Sequence, residues 1–366
     1  MTPKINKIVN GPIPVSFLSD ETKRLDSLKF DGQRLEVLDQ LLLPHEFKYI
    51  PVENVTDAFN VIKSMQVRGA PLIAVVGSLG LFLELQKTSE LNVIDVRDKI
   101  QYLISSRPTA VDLRNSVNGL IPILENEGSS DNEKLIKCRE YLLDVYTSEK
   151  LQNRILVWNA YQELLEAFPD KEKLTVMTIC NTGSLATVSW GTALGVIRAL
   201  HSENRLNLAY ILETRPYNQG IRLTATELLH GEVPFKLITD SMAAWAMKNH
   251  EVDCVLVGAD NVARNGDTAN KIGTYMLAVL CKHHKINFYP VVPFTTINKN
   301  IASGEEIKIE ERPASELLRV NGVLVGNSEC PVWNPAFDVT PANLITKILT
   351  DFGNWSPEAL EDQIPK

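Results

Sequence analysis

VDCVLVGADNVARNGDTANKIGTYMLAVL, residues 252–280, predicts how the second half of this chain folds. The apolar run of residues 252–257 has the length of a buried strand, and the run of residues 275–280 is typical of a helix. Four other short apolar runs are each followed or separated by helical stretches: KLTVMTIC (173–180), LNLAYIL (206–212), PFKLIT (234–239) and INFYPVV (286–292). Strands that alternate with helices predict an α/β fold with a parallel sheet and right-handed crossovers.

The first half of the chain has a different pattern. Residues 1–28 are polar and are predicted to be an N-terminal extension. Short strands are predicted within residues 35–52, and residues 56–124 show a helical pattern. The polar segment ENEGSSDNEK (125–134) precedes a long helix predicted at about 134–167. The predicted domains are therefore a small, mainly helical N-terminal domain with short strands, residues 29–130, and a parallel-sheet domain, residues 131–366.

Composition and motif spacing exclude several classes of function. The chain has 366 residues and a net charge of −8, which argues against a general nucleic-acid binder. Its five cysteines form no CxxC pair and no HExxH spacing occurs, so no metal site is predicted. No signal peptide and no clean apolar run of about 18–20 residues is evident. We predict an intracellular protein with reduced thiols and no membrane partner, located in the cytoplasm, with the nucleus as a second location.

Polar residues follow the predicted strands at the ends where ligands bind to parallel sheets. Cys180 closes one strand, and the NTGS that follows it is predicted to open a helix. Gln219 lies in the charged loop after the next strand, and Asp260 follows the strand of residues 252–257. The alternatives are a buried structural cysteine with an ordinary helix cap, and a solvated charged loop.

Lys271 occupies an unusual predicted position. Asp267 or Thr268 is predicted to cap the next helix, which would place Asn270 and Lys271 in its first turn. A lysine there opposes the helix dipole, and a bound anion would remove this conflict. The alternative is a solvated lysine at a small energetic cost.

Two arginines in the first half are also predicted to lie at helix N-termini, which suits a phosphate. Arg68 and Gly69 come just before Pro71, a favoured first helical residue. Arg107 comes before Thr109, whose spacing to Asp112 is a weaker relative of the capping box. These features predict an anion-binding pocket between the two domains, lined by Cys180, Gln219, Asp260 and Asn270.

Seven motifs together resemble one known family. They are MQVRGAPLIAVVGSL, SRPTAV, CNTGSLAT, ETRPYNQGIRLTATEL, GADNVARNGDTANKIGTYMLAVL, IEERP and NPAFDVTP. In this order they are similar to the methylthioribose-1-phosphate isomerases of methionine salvage, from about residue 35 to about residue 350. The sequence departs from the family pattern at Phe294, Asn298 and Asp112, which bears on substrate contacts or on dimer packing.

The resemblance implies a small N-terminal domain on a larger Rossmann-like domain, usually in a homodimer. It implies an aldose–ketose isomerisation of 5-methylthioribose 1-phosphate to 5-methylthioribulose 1-phosphate, a sugar phosphate reaction with no metal or organic cofactor. The catalytic residues that it implies are Cys180 and Asp260. The substrate-binding residues that it implies are Arg68, Gly69, Ala70, Arg107, Gln219, Asn270 and Lys271.

The chemistry of that reaction leaves the hydrogen transfer open. Opening the sugar ring needs a proton donor, and Asp260 suits this role if it is protonated near neutral pH. Hydrogen then moves from C2 to C1, either by proton transfer with Cys180 as the base or by a hydride shift in a water-free pocket around Cys180. Two other functions stay open: a ribose-1,5-bisphosphate isomerase, and a non-catalytic regulatory subunit of the translation-initiation exchange factor.

Overall fold

The computed structural model describes residue 13, residues 23–108 and residues 110–364. It divides into two compact units. The helical unit comprises Arg24–Arg154 together with Gly183–Gly191, and the parallel-sheet unit comprises mainly Ile155–Thr182 and the chain from Thr192 onward. This division falls within the long helix that was predicted at about 134–167. As a boundary between folding domains, residue 130 stays a prediction.

The helical unit packs one small sheet and several helices around a core of its own. Strands β1 (Leu28–Phe30), β2 (Leu35–Leu38) and β3 (Tyr49–Val52) form an antiparallel sheet in that order. Helices follow in the predicted region: α1 (Val55–Lys63), α2 (Ala70–Gln86), α3 (Val93–Ser106), α4 (Val111–Asn118) and α5 (Ile121–Leu124). Helix α2 is apolar on all sides and almost completely buried from Leu72 to Leu85. It is therefore the central helix of this core.

Helix α6 (Asp131–Ala167) is the long helix that the sequence predicts. It begins within the polar segment of residues 125–134, and its first turn carries Asp131 and Glu133, which suit a helix N-terminus. Within the described part of the chain no helix combines the length and apolarity needed to cross a membrane.

The parallel-sheet unit confirms the predicted fold class. Its five strands run parallel in the order β10-β7-β4-β5-β6. They are β4 (Leu174–Thr178), β5 (Leu206–Leu212), β6 (Phe235–Ile238), β7 (Cys254–Val257) and β10 (Asn287–Pro290). Helices α7 (Ala193–Ser202), α8 (Ala225–His230), α9 (Ala243–Asn249) and α10 (Thr274–His284) connect them. Strand β4 lies at the centre and is buried along its whole length, which explains its continuous apolar sequence.

A second sheet follows the carboxyl end of β7. Its order is β11-β8-β9-β14, with β8 (Asn261–Ala263), β9 (Thr268–Lys271), β11 (Ile297–Asn298) and β14 (Phe337–Thr340). The remaining α-helices and strands of the described residues are α11 (Ala314–Leu318), β12 (Arg319–Val320), β13 (Val323–Leu324), β15 (Ile348–Thr350), β16 (Gly353–Trp355) and α12 (Pro357–Leu360).

Two predicted helix starts are wrong, and a third differs from the structure by one residue. Asn270 and Lys271 lie on β9 because this stretch pairs with β14, and α10 begins only at Thr274, with Gly273 as its N-cap. The NTGS after Cys180 opens no helix, since α7 begins at Ala193. Arg107 is the C-cap of α3, and α4 has Ala110 as its N-cap without a side-chain hydrogen bond. Thr109 lies outside the described residues.

Candidate active site

Cys180 lies in a tightly held turn two residues beyond the end of β4. Its φ of 67° is in the left-handed region that residues with a Cβ rarely adopt. Its backbone N–H donates to Thr214 Oγ1 at 2.8 Å, and its carbonyl oxygen accepts from Thr224 Oγ1 at 2.6 Å. The side chain is buried, with 5% of its surface exposed. Two hydroxyls therefore hold both backbone polar groups of this one residue.

The next residue, Asn181, is fixed by a buried ion pair. Its side-chain amide donates to Glu227 Oε1 at 2.7 Å and to Thr224 Oγ1 at 3.3 Å. Glu227 in turn pairs with the guanidinium of Arg198, and both of these charged residues are buried. A paired, hydrogen-bonded charge is the form in which ionised groups are tolerated in a protein interior.

Gln219 lies on a loop that packs closely against β5. The N–H of Gly220 donates to the Glu213 carbonyl, and a Cβ at Gly220 would lie 1.7 Å from the Leu212 carbonyl oxygen, so only glycine fits there. Gln219 is 2% exposed, and its Oε1 accepts no hydrogen bond from the described residues. A buried acceptor of this kind suits a donor supplied by a ligand, such as a sugar hydroxyl.

Asp260 follows β7, the strand next to the one that precedes Cys180. Strands β4 and β7 are parallel neighbours, with Val176 opposite Cys254, so their carboxyl ends meet at the same edge of the sheet. A Cβ at Gly258 would lie 2.8 Å from the side chain of Thr182, which shows how closely the two loops approach. The backbone N–H of Asp260 donates to the Ala269 carbonyl at 2.9 Å and ties it to β9.

Asn270 and Lys271 reach the same region from β9. The Asn270 side chain is buried and donates to Thr274 Oγ1 at 3.0 Å. The Lys271 ammonium lies 4.5 Å from the centre of the Phe337 ring, a cation–π contact. In the parallel-sheet unit Cys180, Gln219 and Asp260 thus follow the neighbouring strands β4, β5 and β7, and Asn270 and Lys271 follow Ala269, the residue that bonds the Asp260 N–H.

The N-terminus of α10 is occupied by a carboxylate of the protein. Asp338 accepts hydrogen bonds from the N–H groups of Gly273 at 2.7 Å and Tyr275 at 3.0 Å. Burial raises the pKa of Asp338 to about 6, although these two bonds and the nearby Lys271 charge act in the opposite direction. An anion held by Lys271 would therefore be bound by the side-chain charge and not by this helix end.

The helical unit carries the other predicted site residues. Arg68, Gly69 and Ala70 lie at the start of α2, as predicted, with Gly69 as the N-cap at φ 98°. A Cβ at Gly69 would lie 2.4 Å from the Ala186 carbonyl oxygen, so glycine allows α2 to approach that backbone. Arg107 lies at the junction between α3 and α4.

Three buried polar residues around this site, Thr214, Thr224 and Glu227, were not predicted, and neither was the partly buried Asp338. They lie within the quoted motifs ETRPYNQGIRLTATEL and NPAFDVTP, but their partners are distant in sequence. Among the described residues no group of three or more His, Cys, Asp or Glu side chains is arranged to hold a metal ion.

Comparisons with known proteins give the family. Residues 66–357 match the initiation factor 2 subunit family. The chain is 89% identical over 366 residues to a methylthioribose-1-phosphate isomerase of Caenorhabditis briggsae, with both chains covered completely. It is similar to the crystal structure of 5-methylthioribose 1-phosphate isomerase from Pyrococcus horikoshii, at 35% identity and a TM-score of 0.83, covering 93% of this chain and 95% of that one.

A second solved structure has a different name. The delta subunit of translation initiation factor eIF-2B from A. fulgidus is 33% identical, with a TM-score of 0.76, covering 92% of this chain and 97% of that one. The identity to the isomerases is higher, and it extends over the complete chain in the Caenorhabditis relative. The chain belongs to the initiation factor 2 subunit family and, within it, to the methylthioribose-1-phosphate isomerases.

Proposed function

We propose that this protein is an aldose–ketose isomerase that converts 5-methylthioribose 1-phosphate to 5-methylthioribulose 1-phosphate in methionine salvage. One observation carries the proposal beyond the names of its relatives. Cys180 and Asp260 follow neighbouring parallel strands and leave the sheet at the same edge. A thiol and a carboxyl at this position supply the two groups that the reaction needs.

The proposed roles follow from the chemistry of the substrate. The phosphate on C1 keeps the sugar closed as a ring without a free aldehyde. Asp260 is the proposed acid that protonates the ring oxygen as the ring opens. The hydrogen on C2 then moves to C1, either as a proton with Cys180 as the base or as a hydride in surroundings from which Cys180 helps to exclude water.

Substrate binding is proposed to use two kinds of contact. Arg68, Arg107 and Lys271 supply positive charge for the phosphate, in a chain whose net charge is −8. Gln219 and Asn270 are buried amides that suit sugar hydroxyls. The backbone at Gly69 and Ala70, at the start of α2, supplies N–H groups of the type that bind anions.

We also propose that the active form is a homodimer. Large apolar side chains are exposed on consecutive elements at the β6 edge of the sheet: Leu229 on α8, Leu237 on β6, Met242 before α9 and Trp245 on α9. Exposed apolar surface of this kind is typical of a subunit interface. Sedimentation of the purified protein and of Trp245→Glu tests this, and the variant should shift toward monomer.

The substrate assay tests the function directly. Purified protein is incubated with 5-methylthioribose 1-phosphate and, separately, with ribose 1,5-bisphosphate, and the ketose carbonyl is followed by carbon NMR. The expected product is the methylthio ketose, and Cys180→Ser should form it at least ~100-fold more slowly. Faster conversion of the bisphosphate would assign the other isomerase. No product from either sugar would favour the role of an assembly subunit, which the likeness to the eIF-2B delta structure suggests.

A further inference from the structure

Cys180 has an unfavourable backbone conformation that the surrounding residues must maintain. At φ 67° its Cβ is crowded by the neighbouring backbone, and residues other than glycine, asparagine and aspartate seldom adopt this region. Such conformations persist when the surrounding structure fixes them, and they are concentrated at functional sites. The contacts that fix Cys180 are therefore of functional interest.

Thr214 and Thr224 each use their hydroxyl in two directions. Thr214 Oγ1 donates to the Leu212 carbonyl at 3.0 Å, which leaves its lone pairs to accept from the Cys180 N–H. Thr224 Oγ1 donates to the Cys180 carbonyl and accepts from the Asn181 amide. Both threonines are buried, so no water replaces either bond. Each hydroxyl therefore has one fixed orientation.

The two threonines come from different elements and meet at one residue. Thr214 follows β5, and the carboxylate of Asp240 fixes this turn by accepting from the N–H groups of Thr214 at 2.9 Å and Arg215 at 2.7 Å. Thr224 ends the π-helical segment Gly220–Thr224, which leads into α8. Such π-helical turns are rare and are frequently found at functional sites.

We propose that Thr214 and Thr224 are positioning residues that hold the Cys180 thiol in its working orientation. This rests on the proposed function of Cys180. If φ relaxed from 67° to about −65°, the Cα–Cβ bond would swing away and the sulfur would leave its place. A misplacement of about 1 Å can cost on the order of 100-fold in rate.

The experiment compares matched threonine variants. Thr214→Val and Thr224→Val remove the hydroxyls and keep the shape, whereas Thr214→Ser and Thr224→Ser keep the hydroxyls. Thr226→Val is the control. Thr226 lies on α8, two residues after Thr224, but its hydroxyl donates to the Arg222 carbonyl and not to Cys180. The readouts are kcat, KM, the thermal unfolding midpoint, and the rate at which iodoacetamide alkylates Cys180.

We expect both valine variants to lower kcat by about 10- to 100-fold with KM changed only a few-fold. The serine variants and Thr226→Val should keep kcat within about twofold. Loosening the turn should also expose the thiol and raise the alkylation rate of Cys180 at least about threefold. Mass spectrometry of the Cys180 peptide separates this signal from Cys330, which is exposed.

The experiment distinguishes failure of the proposed isomerase function from failure of the positioning role of the two threonines. If the wild-type protein isomerises neither sugar, the function fails, and the alkylation rates still decide whether the threonines hold Cys180. If kcat and alkylation in both valine variants match Thr226→Val, the positioning role is wrong. Should a valine variant not fold, the alanine variant, which adds no methyl group beside the Cys180 backbone, takes its place.

Discussion

At the scale of the residue, Asp260 is tied to β9 through its backbone, since its N–H donates to the Ala269 carbonyl. Asp260→Asn keeps the size of the side chain and this backbone bond, but an amide does not donate an acidic proton to a ring oxygen. We expect substrate affinity to stay within a few-fold and turnover to fall by ~10²–10⁴. Equilibrium binding and single-turnover rates measure the two quantities separately.

The opposite pattern would change the assignment of Asp260. If Asp260→Asn lost substrate affinity but converted bound substrate at the normal rate, Asp260 would be a binding residue. Asp260→Glu serves as the control, because it keeps the acid and changes only its reach.

Lys271 and Arg107 are predicted to act mainly in binding. Lys271→Ala and Arg107→Ala should each remove a proposed charge-assisted contact to the phosphate, worth roughly 1.5–3 kcal/mol. This corresponds to a loss of affinity of about 10- to 150-fold. Lys282→Ala is the matched control, since Lys282 is an exposed lysine on α10 and its loss changes the net charge equally. Affinity in both site variants equal to that of the control would refute the phosphate assignment.

The sequence predicted where Cys180 and Asp260 lie in the fold, and their catalytic roles stay predictions. Cys180 and Asp260 follow apolar strands, and the end of a buried strand can be read from the sequence. Thr214, Thr224 and Glu227 could not be found in this way. A threonine or glutamate in a polar motif has the same local pattern whether it is solvated or completely buried, and only the tertiary fold decides its burial.

At the scale of the element, the loop between β7 and α10 shows why local patterns fail. Asn265, Gly266 and Asp267 form a turn, as their sequence indicates, but β9 follows because Thr268–Lys271 pairs with β14. The pairing partner is more than 60 residues away, so nothing local reveals it. The side chain that accepts hydrogen bonds from the first N–H groups of α10 is equally remote, since it belongs to Asp338 and not to a residue of the loop.

The Asp338 cap predicts a pH dependence of stability. Burial raises the pKa of Asp338 to about 6 in the folded protein, above its value in an unfolded chain. The folded state therefore binds this proton more tightly, and the stabilisation is complete below about pH 4 and is lost as pH rises through about 6. Asp338→Asn lacks this titration.

Chemical denaturation between pH 4 and pH 7 measures the effect. The free energy of unfolding of the wild type, minus that of Asp338→Asn, should fall by roughly 2–3 kcal/mol over this interval. A difference that is constant with pH would show that Asp338 does not titrate in this way. Asp351→Asn provides a comparison, because burial also raises the pKa of Asp351 to about 6.

At the scale of the whole molecule, we expect the buried carboxyl of Glu149 to make global stability depend on pH near neutrality. Glu149 on α6 is buried, and burial raises its pKa to about 8, against the lowering effect of hydrogen bonds from Val188 N–H and the Asn153 amide. The nearby charge of Asp112 acts in the same direction as burial, and that of Lys150 acts against it. Glu149 therefore stabilises the protein fully below its unfolded pKa, and this contribution is lost as pH rises through about 8.

Glu149→Gln tests this at the global level, since glutamine resembles the protonated acid and does not ionise. Between pH 6 and pH 8 the wild type should lose about 2–3 kcal/mol of unfolding free energy that the variant keeps. Parallel pH profiles for the two proteins would contradict the predicted titration of Glu149. The exposed Glu140 in the same helix offers a matched control through Glu140→Gln.

The order of strands and helices was predictable across most of the chain, because buried parallel strands give continuous apolar runs and α2 is apolar throughout. The division of the chain into two units was harder to predict from the sequence. Residues 183–191 belong with the helical unit although they come shortly after β4 in the sequence, because the Leu72 N–H donates to the Ala186 carbonyl and Val188 is part of the helical core. Contacts of this kind depend on residues about 100 positions apart.

Residues 183–191 belong to the helical unit, whereas the chain on both sides of them belongs to the parallel-sheet unit. This arrangement constrains how genes of this type can recombine. A single crossover near Arg154 would deliver a helical unit whose Ala186 and Val188 come from a different parent. The backbone at Gly69, from one parent, would then have to pack closely against the backbone at Ala186, from the other parent, although the two segments did not evolve together. Exchange of the complete unit requires two further breakpoints on either side of a very short coding segment. We therefore expect the two units to be inherited together as one genetic module and not to be shuffled separately among unrelated proteins.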